Sequence, residues 1–280
     1  MLDSLSAFDT HCHLQFPDFD TDREEVLARM KEQKIGAVVV GTDLASSEAA
    51  VELARQHDFL WAAVGLHPND NLDEPFDVPA FEALAADPKV VGIGECGLDY
   101  YTRNRCGIDA DSRGQGLSSA AKELQKDRFE QHVELARKVG KPLIIHCRPS
   151  QGSTDVHDDM AELLGNYSRE LANNSLRVVM HFFTSTADIA ERYLALGCHI
   201  SFPCVVTFTD MYDDAVRAVP LDRLLIETDS PYAAPKSHRG KRNEPYYVVE
   251  TIGRIAEIKA APADEIAAAT VRNSRMIFNL

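Results

Sequence analysis

Eight short apolar runs alternate with amphipathic stretches along the whole 280-residue chain, and this alternation limits the possible folds more than any other feature. Several of the runs are rich in β-branched residues, and each has the length of a buried strand. The runs span residues 6–11, 35–42, 60–67, 90–95, 142–147, 176–183, 199–206 and 224–229. Eight strand-then-helix units in a chain of this size predict an α/β protein with a single (β/α)₈ TIM-barrel domain over residues 1–280.

The stretches between the runs have the pattern of helices that pack against a barrel wall. In segments such as 23–33, 127–138 and 248–258, apolar residues recur at three- and four-residue spacing, with charges on the other side. Two segments, one after the fourth run and one after the eighth, are instead polar. The polar segment after the fourth run predicts an extended loop over about 101–122.

Composition narrows the possible partners and locations. The first residues lack the basic and apolar regions of a secretory signal, and no stretch approaches the ~18 consecutive apolar residues of a membrane span. The six cysteines form no C-x-x-C pair, which favours reduced thiols. We therefore expect a cytoplasmic protein that needs neither a membrane nor an obligate protein partner. A net charge of −15 means that any polyanionic substrate must be met by local cations.

Potential metal ligands stand at the ends of the predicted strands, where TIM barrels carry their active sites. Four histidines and two carboxylates occupy these positions, and His67 adds a further imidazole at the end of the third run. A mixed nitrogen and oxygen set suits Zn, Mn, Ni or Fe, and tolerates Mg. The predicted ligands are His11, His13, Glu95, His146, His181 and Asp229.

Strand alternation separates these ligands from the cysteines beside them. Residues two apart on a strand point to the same side, so His11 and His13 can face the barrel mouth together while Cys12 points away. By the same reasoning Cys96 and Cys147 should face the helix layer as small buried hydrophobes. The thiols are therefore not expected to take part in the chemistry.

Six ligands can hold two divalent ions if one carboxylate bridges them, and Glu95 is the expected bridge. Two-metal hydrolases use such ions, here Mg, Mn or Zn, to activate a water molecule at neutral pH. A carboxylate beside that water can accept its proton. We assign this role to Asp229, so Glu95 and Asp229 are the predicted catalytic residues.

Six segments together resemble the TatD family of metal-dependent deoxyribonucleases. They are DTHCHL (9–14), GLHP (65–68), GIGECGLDYY (92–101), LIIHCR (143–148), ETDSPY (227–232) and HRGKRNEP (238–245). The resemblance implies hydrolysis of phosphodiester bonds in DNA, with an exonuclease's preference for single-stranded or frayed ends. It assigns His11, His13, Glu95 and Asp229 to one metal, and Glu95, His146 and His181 to the other.

The resemblance also implies roles around the metals. His67, Arg148, His238 and Arg239 would approach substrate phosphate, while Asp99 and Asn243 would support the mouth. The chain departs from the family pattern in the segment FFTST (182–186) and in the length of the segment after GLDYY. Both border the mouth and bear on substrate preference.

Three questions stay open at the level of sequence. The same metals could serve an amidohydrolase-like enzyme that acts on a small amide, lactone or phosphoester. The cationic run 238–242 either meets phosphate or forms a solvated loop. Tyr100, Tyr101 and Tyr232 flank the mouth, where their rings could stack on bases or simply pack.

Overall fold

The computed structural model of the chain describes residues 5–69, 75–101 and 117–280. Eight parallel strands follow one another in sequence order around a single sheet. A bridge between Cys12 and Ser230 joins the last strand to the first. The result is a nearly closed barrel, which confirms the predicted TIM-barrel fold. The strands are β1 (Ala7–Cys12), β2 (Ile35–Val40), β3 (Leu60–Val64), β4 (Val90–Asp99), β5 (Leu143–Arg148), β6 (Val178–Met180), β7 (His199–Phe202) and β8 (Leu224–Ile226).

Ten α-helices in the described part of the chain surround the barrel. None of them combines the length and the apolar character that a membrane crossing requires. Residues 102–116, most of the predicted loop 101–122, lie outside the described residues, as does Cys106. The helices are α1 (Arg23–Glu32), α2 (Leu44–Gln56), α3 (Val78–Ala85), α4 (Ser119–Val139), α5 (Asp155–Gly165), α6 (Ser168–Ala172), α7 (Ala187–Ala195), α8 (Asp213–Ala218), α9 (Val248–Lys259) and α10 (Ala263–Phe278).

The last three strands are shorter than the apolar runs that predicted them. β7 ends before Pro203, which has no N–H to donate to the sheet, and a 3₁₀ helix follows at Cys204–Thr207. β6 and β8 end at Met180 and Ile226. The polar ends of runs 176–183 and 224–229 therefore lie in loops at the barrel mouth rather than in strands.

Two apolar layers hold the barrel together. One fills the interior with a side chain from most strands, such as Phe8, Val38 and Ile144, and α10 contributes Phe278 to it. The other packs the outer side of the sheet against the helices and includes Cys12 and Cys96, as strand alternation predicts. The Cys147 thiol also faces the helices, where it lies 3.4 Å from the hydroxyl of Tyr193 on α7.

Register irregularities in β1 and β4 direct two polar side chains, those of His11 and Glu95, toward the interior of the barrel. β1 is irregular between Asp9 and Cys12. Phe8 and His11 consequently both face inward, although strict alternation would put residues three apart on opposite sides. β4 has a similar irregularity between Ile93 and Cys96, which turns Glu95 inward.

Two glycines allow β4 and β5 to approach closely beside Glu95. Gly94 and Gly97 have φ values of 149° and 132°, in the region that side chains disfavour. A Cβ at Gly94 would lie 2.5 Å from the carbonyl oxygen of Ile144, and one at Gly97 would lie 2.1 Å from that of His146. The glycine-rich sequence of β4 is therefore a condition for this geometry.

His199, at the start of β7, should make folding stability depend on pH. The side chain is buried, and neither ring nitrogen has a hydrogen-bond partner among the described residues. Burial, aided by the nearby charge of Arg223, lowers its pKa to about 4. The unfolded chain binds a proton near pH 6.5. The stability contributed by neutral His199 is thus present above about pH 6.5 and lost as the pH falls toward 4.

Replacing this side chain with an apolar one should remove that dependence. We expect the free energy of unfolding to fall less between pH 7 and pH 5 in His199→Leu than in the wild type, by about 2 kcal/mol. Urea denaturation of both proteins at the two pH values measures the difference. Equal losses of stability would show that His199 does not carry the effect.

Candidate metal centre

The six predicted ligand residues converge at the C-terminal end of the barrel. Their side chains are at most 15% exposed. β1 carries His11, and His13 follows directly after it. β4 carries Glu95 and β5 carries His146, whereas the loops after β6 and β8 supply His181 and Asp229.

Glu95 stands between two groups of histidines. Its Oε2 atom lies 3.3 Å from Nε2 of His11 and 3.9 Å from Nε2 of His13. Its Oε1 atom lies 2.7 Å from Nδ1 of His146 and 2.9 Å from Nε2 of His181. The two oxygens of one carboxylate therefore face two different sets of ligand atoms.

Asp229 completes the first set. Its Oδ1 atom is 3.3 Å from Nε2 of His13 and 3.7 Å from Nε2 of His11. The two histidine nitrogens are themselves 3.2 Å apart, and the corresponding pair in the second set, from His146 and His181, is 3.4 Å apart. Nitrogens this close, ringed by carboxylate oxygens, suit a shared divalent cation in each set. The residues could thus hold two ions bridged by Glu95.

The electrostatics of the cluster keep its central carboxylate negatively charged. Burial alone would raise the pKa of Glu95, but His181, His67 and His11 hold that pKa well below its usual value. Burial likewise opposes protonation of His146, whose pKa is nevertheless raised to about 9 by Asp99 and Glu95. Glu95 is therefore available as a buried anionic ligand.

In two of the predicted ligands, the ring nitrogen that points away from the cluster faces a polar group that can orient the imidazole. Nδ1 of His13 donates to the carbonyl oxygen of Val40 at 2.8 Å, which leaves Nε2 with a lone pair for a cation. Nε2 of His146 lies 3.4 Å from Oδ2 of Asp99. Metal-ligating histidines commonly have such partners, which fix the ring and its tautomer.

The sequence profile of TatD-related DNases matches residues 8–279, nearly the whole chain. The chain belongs to this family. Its TatD relatives include the uncharacterized metal-dependent hydrolase YabD of Bacillus subtilis, which is 37% identical over 98% of this chain and 99% of its own. The 3′-5′ ssDNA/RNA exonuclease TatD of Erwinia tasmaniensis is 31% identical over 98% of this chain and 100% of its own.

The crystal structure of YjjV, a TatD homologue from Escherichia coli K12, has a similar fold. It superposes with a TM-score of 0.83 at 28% identity, covering 100% of both chains. Together these matches confirm the prediction of a metal-dependent hydrolase of the TatD family.

A cavity of about 650 Å³ opens above the cluster of predicted ligands. His67 and Arg148, two of the predicted phosphate-binding residues, line it. Nε2 of His67 lies 3.6 Å from Oε1 of Glu95, so its imidazole belongs to the polar cluster itself. The guanidinium of Arg148 lies over the ring of Tyr101, 4.0 Å from its centroid.

The other two predicted phosphate-binding residues are not among the residues that line this cavity. His238 stacks on Tyr247 with ring centroids 3.9 Å apart, and its Nδ1 atom lies 3.2 Å from Oε1 of Glu250. The guanidinium of Arg239 lies 4.0 Å from the ring centroid of Phe208. Arg239 is therefore held by an aromatic ring outside the cavity lining.

The predicted supporting residues adjoin the ligand cluster, whereas one of the flanking tyrosines does not. Asn243 donates to the carbonyl oxygens of Thr228 and Tyr232 at 2.9 and 2.7 Å, which braces the loop that carries Asp229. Tyr100, by contrast, is buried, and its hydroxyl donates to Asp159 at 2.6 Å. The Tyr100 ring therefore packs in the protein interior and does not lie at the rim of the cavity.

Glu227 is a site residue that sequence reasoning missed. It is fully buried, and its Oε1 atom accepts hydrogen bonds from Nδ1 of His181 at 2.9 Å and from the backbone N–H of Phe182 at 2.7 Å. The available signal was a carboxylate in an apolar run, two residues before Asp229. Because Nδ1 of His181 donates to Glu227, its Nε2 atom presents a lone pair to the cluster.

Glu227→Gln should weaken metal binding because a neutral amide orients and polarises His181 less well than a carboxylate. We expect the Kd for Mn²⁺ to rise by about 10- to 100-fold, the usual effect of losing such a partner. Isothermal titration calorimetry measures the Kd directly. Glu250→Gln is the matched control, because Glu250 pairs with His238 away from the ligands. Unchanged affinity in Glu227→Gln would contradict this role.

Proposed function

We propose that this TatD-family hydrolase is a nuclease that cleaves phosphodiester bonds in DNA with two divalent ions, working on single-stranded or frayed ends. The observation that carries the proposal is the Glu95 carboxylate, whose two oxygens face two separate histidine groups at the floor of an open cavity. Two-metal sites of this kind act on both the attacking and the leaving oxygen of a phosphoryl group.

In this proposal the ions are Mg²⁺, Mn²⁺ or Zn²⁺. His11, His13, Glu95 and Asp229 would hold one ion, and Glu95, His146 and His181 would hold the other. When bound, the ions supply Lewis acidity and lower the pKa of water, so that a nucleophile exists at neutral pH.

Asp229 has the position required of the proton acceptor. Its side chain is 15% exposed and lines the cavity, whereas that of Glu95 is only 5% exposed. Its backbone is fixed, because its N–H donates to the carbonyl oxygen of His11 at 2.9 Å. An attacking water can therefore be oriented, and its proton held, by the Asp229 carboxylate.

The proposed substrate follows from the relatives and from the local charge. The Erwinia relative is named as an exonuclease on single-stranded DNA and RNA. The net charge of −15 repels a polyanion in general, so the cations at the mouth must attract it. Arg148 lies in the cavity wall and Arg239 lies outside it, which suits contacts with two different phosphates of one strand.

We also propose that the enzyme works in the cytoplasm without an obligate protein partner. The five cysteines in the described part of the chain are free thiols, and Cys12 and Cys96 are among the buried ones. Free thiols are typical of a reducing compartment.

Loss of the metals or of the proton acceptor should stop hydrolysis. Excess EDTA should abolish activity on a labelled single strand, and Mn²⁺ should restore it. Asp229→Asn should lower kcat by ~10²–10⁴, the range for a lost general base. Undiminished cleavage in excess EDTA would contradict the mechanism.

Arg148 and Arg239 should contact different phosphates of a bound nucleic-acid strand, so their substitutions should differ in effect between long and small substrates. On a long single strand, Arg148→Ala and Arg239→Ala should each raise KM and make the log–log dependence of affinity on salt shallower by about 0.7, the value for one lost phosphate contact. On a small chromogenic phosphodiester only Arg148→Ala should matter, because Arg239 is outside the cavity lining.

Arg217→Ala controls for a general change in charge, because Arg217 pairs with Asp214 on α8. If neither active-site variant changes the salt dependence, these cations do not meet phosphate. If the wild type cleaves only the small substrate, the protein is a small-molecule hydrolase and not a nuclease.

A further inference from the structure

The wall of the cavity is divided by chemistry. One part carries polar and cationic side chains, including His67, Asn69 and Arg148. The other part, formed by loops after β1, β6, β7 and β8, carries aromatic and apolar side chains beside Thr184 and the predicted ligands of these loops. Its aromatic and apolar members are Phe16, Phe182, Val205, Tyr212 and Tyr232. A nucleotide unit of a nucleic acid likewise has a charged part and an apolar part, because the phosphate backbone and the flat base are both attached to one sugar.

Tyr232 is the most exposed ring of the apolar wall. It is 54% exposed, although large aromatic side chains are usually well covered. Its ring centroid lies 6.3 Å from that of His13, with the planes inclined at 67°. His13 in turn stacks on Phe16, with centroids 4.6 Å apart and planes 10° apart. Tyr232 thus extends an aromatic surface from a ligand histidine to the cavity rim.

The backbone of Tyr232 is held on both sides. Its N–H donates to the carbonyl oxygen of Asp229 at 2.9 Å, and its own carbonyl oxygen accepts from the Asn243 side chain at 2.7 Å. The backbone that carries the ring is therefore fixed relative to the Asp229 carboxylate, which would orient the attacking water. A tyrosine side chain has only two torsions to order, so the ring can stack on a base with little loss of conformational entropy.

We propose that Tyr232 is a specificity-determining residue that stacks on the nucleobase next to the scissile phosphate. This inference rests on the proposed nuclease function and adds a requirement to it. The enzyme recognises a nucleoside unit with its base, and not merely a phosphodiester. Because the sugar separates the base from the phosphate, the base would lie at the rim, beside Tyr232, when the phosphate lies over the predicted metal ligands. Arg148, at the end of β5 in the same cavity, would contact the backbone.

The experiment compares two single strands that differ only in the terminal nucleotides. One carries ordinary bases, and the other carries abasic tetrahydrofuran units at its last two positions at each end. The wild type with Mn²⁺ should show a higher kcat/KM on the strand with bases, by about 5- to 150-fold, the range expected for one stacked base. This comparison needs no variant and so cannot fail through misfolding.

Variants then assign the preference to Tyr232. Tyr232→Ala should lose most of the preference by slowing only on the strand with bases, while Tyr232→Phe, which retains the ring, should keep it. Met211→Ala is the control for removal of an exposed apolar side chain, because Met211 is 77% exposed and does not line the cavity. Its preference should equal that of the wild type.

Three outcomes would overturn the inference. The wild type could cleave both strands equally, or Tyr232→Ala could slow equally on both strands. Either result leaves a nuclease in which Tyr232 only supports the loop. Failure of the wild type to cleave any strand, with hydrolysis of the small chromogenic diester intact, would instead remove the nuclease function on which the inference rests.

Discussion

The site depends on one constraint, the inward placement of a buried carboxylate by irregular strand register. In a regular barrel the side chains alternate strictly, and the interior of this one is filled by residues such as Phe8 and Val38. The irregularity in β4 directs the Glu95 side chain toward that interior, and the irregularity in β1 does the same for His11. Gly94 permits the close contact with β5 that this register requires. Polar side chains, the predicted metal ligands, therefore lie at the barrel mouth, whereas apolar side chains pack deeper in the barrel.

A buried carboxylate is stable only if its charge is compensated, and this explains the layers around it. The histidines approach Glu95 from both sides and lower its pKa. Hydrogen-bond acceptors outside the cluster orient some of these histidines: the carbonyl oxygen of Val40 accepts from His13, and the Glu227 carboxylate accepts from His181. Because these acceptors take the outer N–H groups, neutral His13 and His181 present their inner Nε2 lone pairs toward the positions where divalent ions would bind.

The sequence predicted the parts of the site that follow from local periodicity. His11 and His13 were recognisable as candidates from their two-residue spacing, and the other four predicted ligands from their places at the ends of apolar runs. Contacts between distant segments were not accessible in this way. Glu227 bonds to a histidine 46 residues earlier in the chain, and the directions of His238 and Arg239 depend on Glu250 and Phe208. Such loop orientations are set by tertiary packing, not by the residue pattern.

In the proposed function, Glu95 would be shared by two divalent ions. The most direct test is anomalous X-ray diffraction from crystals of the protein grown with Mn²⁺. We expect two anomalous peaks, one beside His11, His13 and Asp229 and the other beside His146 and His181, with the Glu95 carboxylate between them. A single peak, or an ion bound only in the neighbouring group of His67, Asp99 and His146, would contradict the proposed two-ion site.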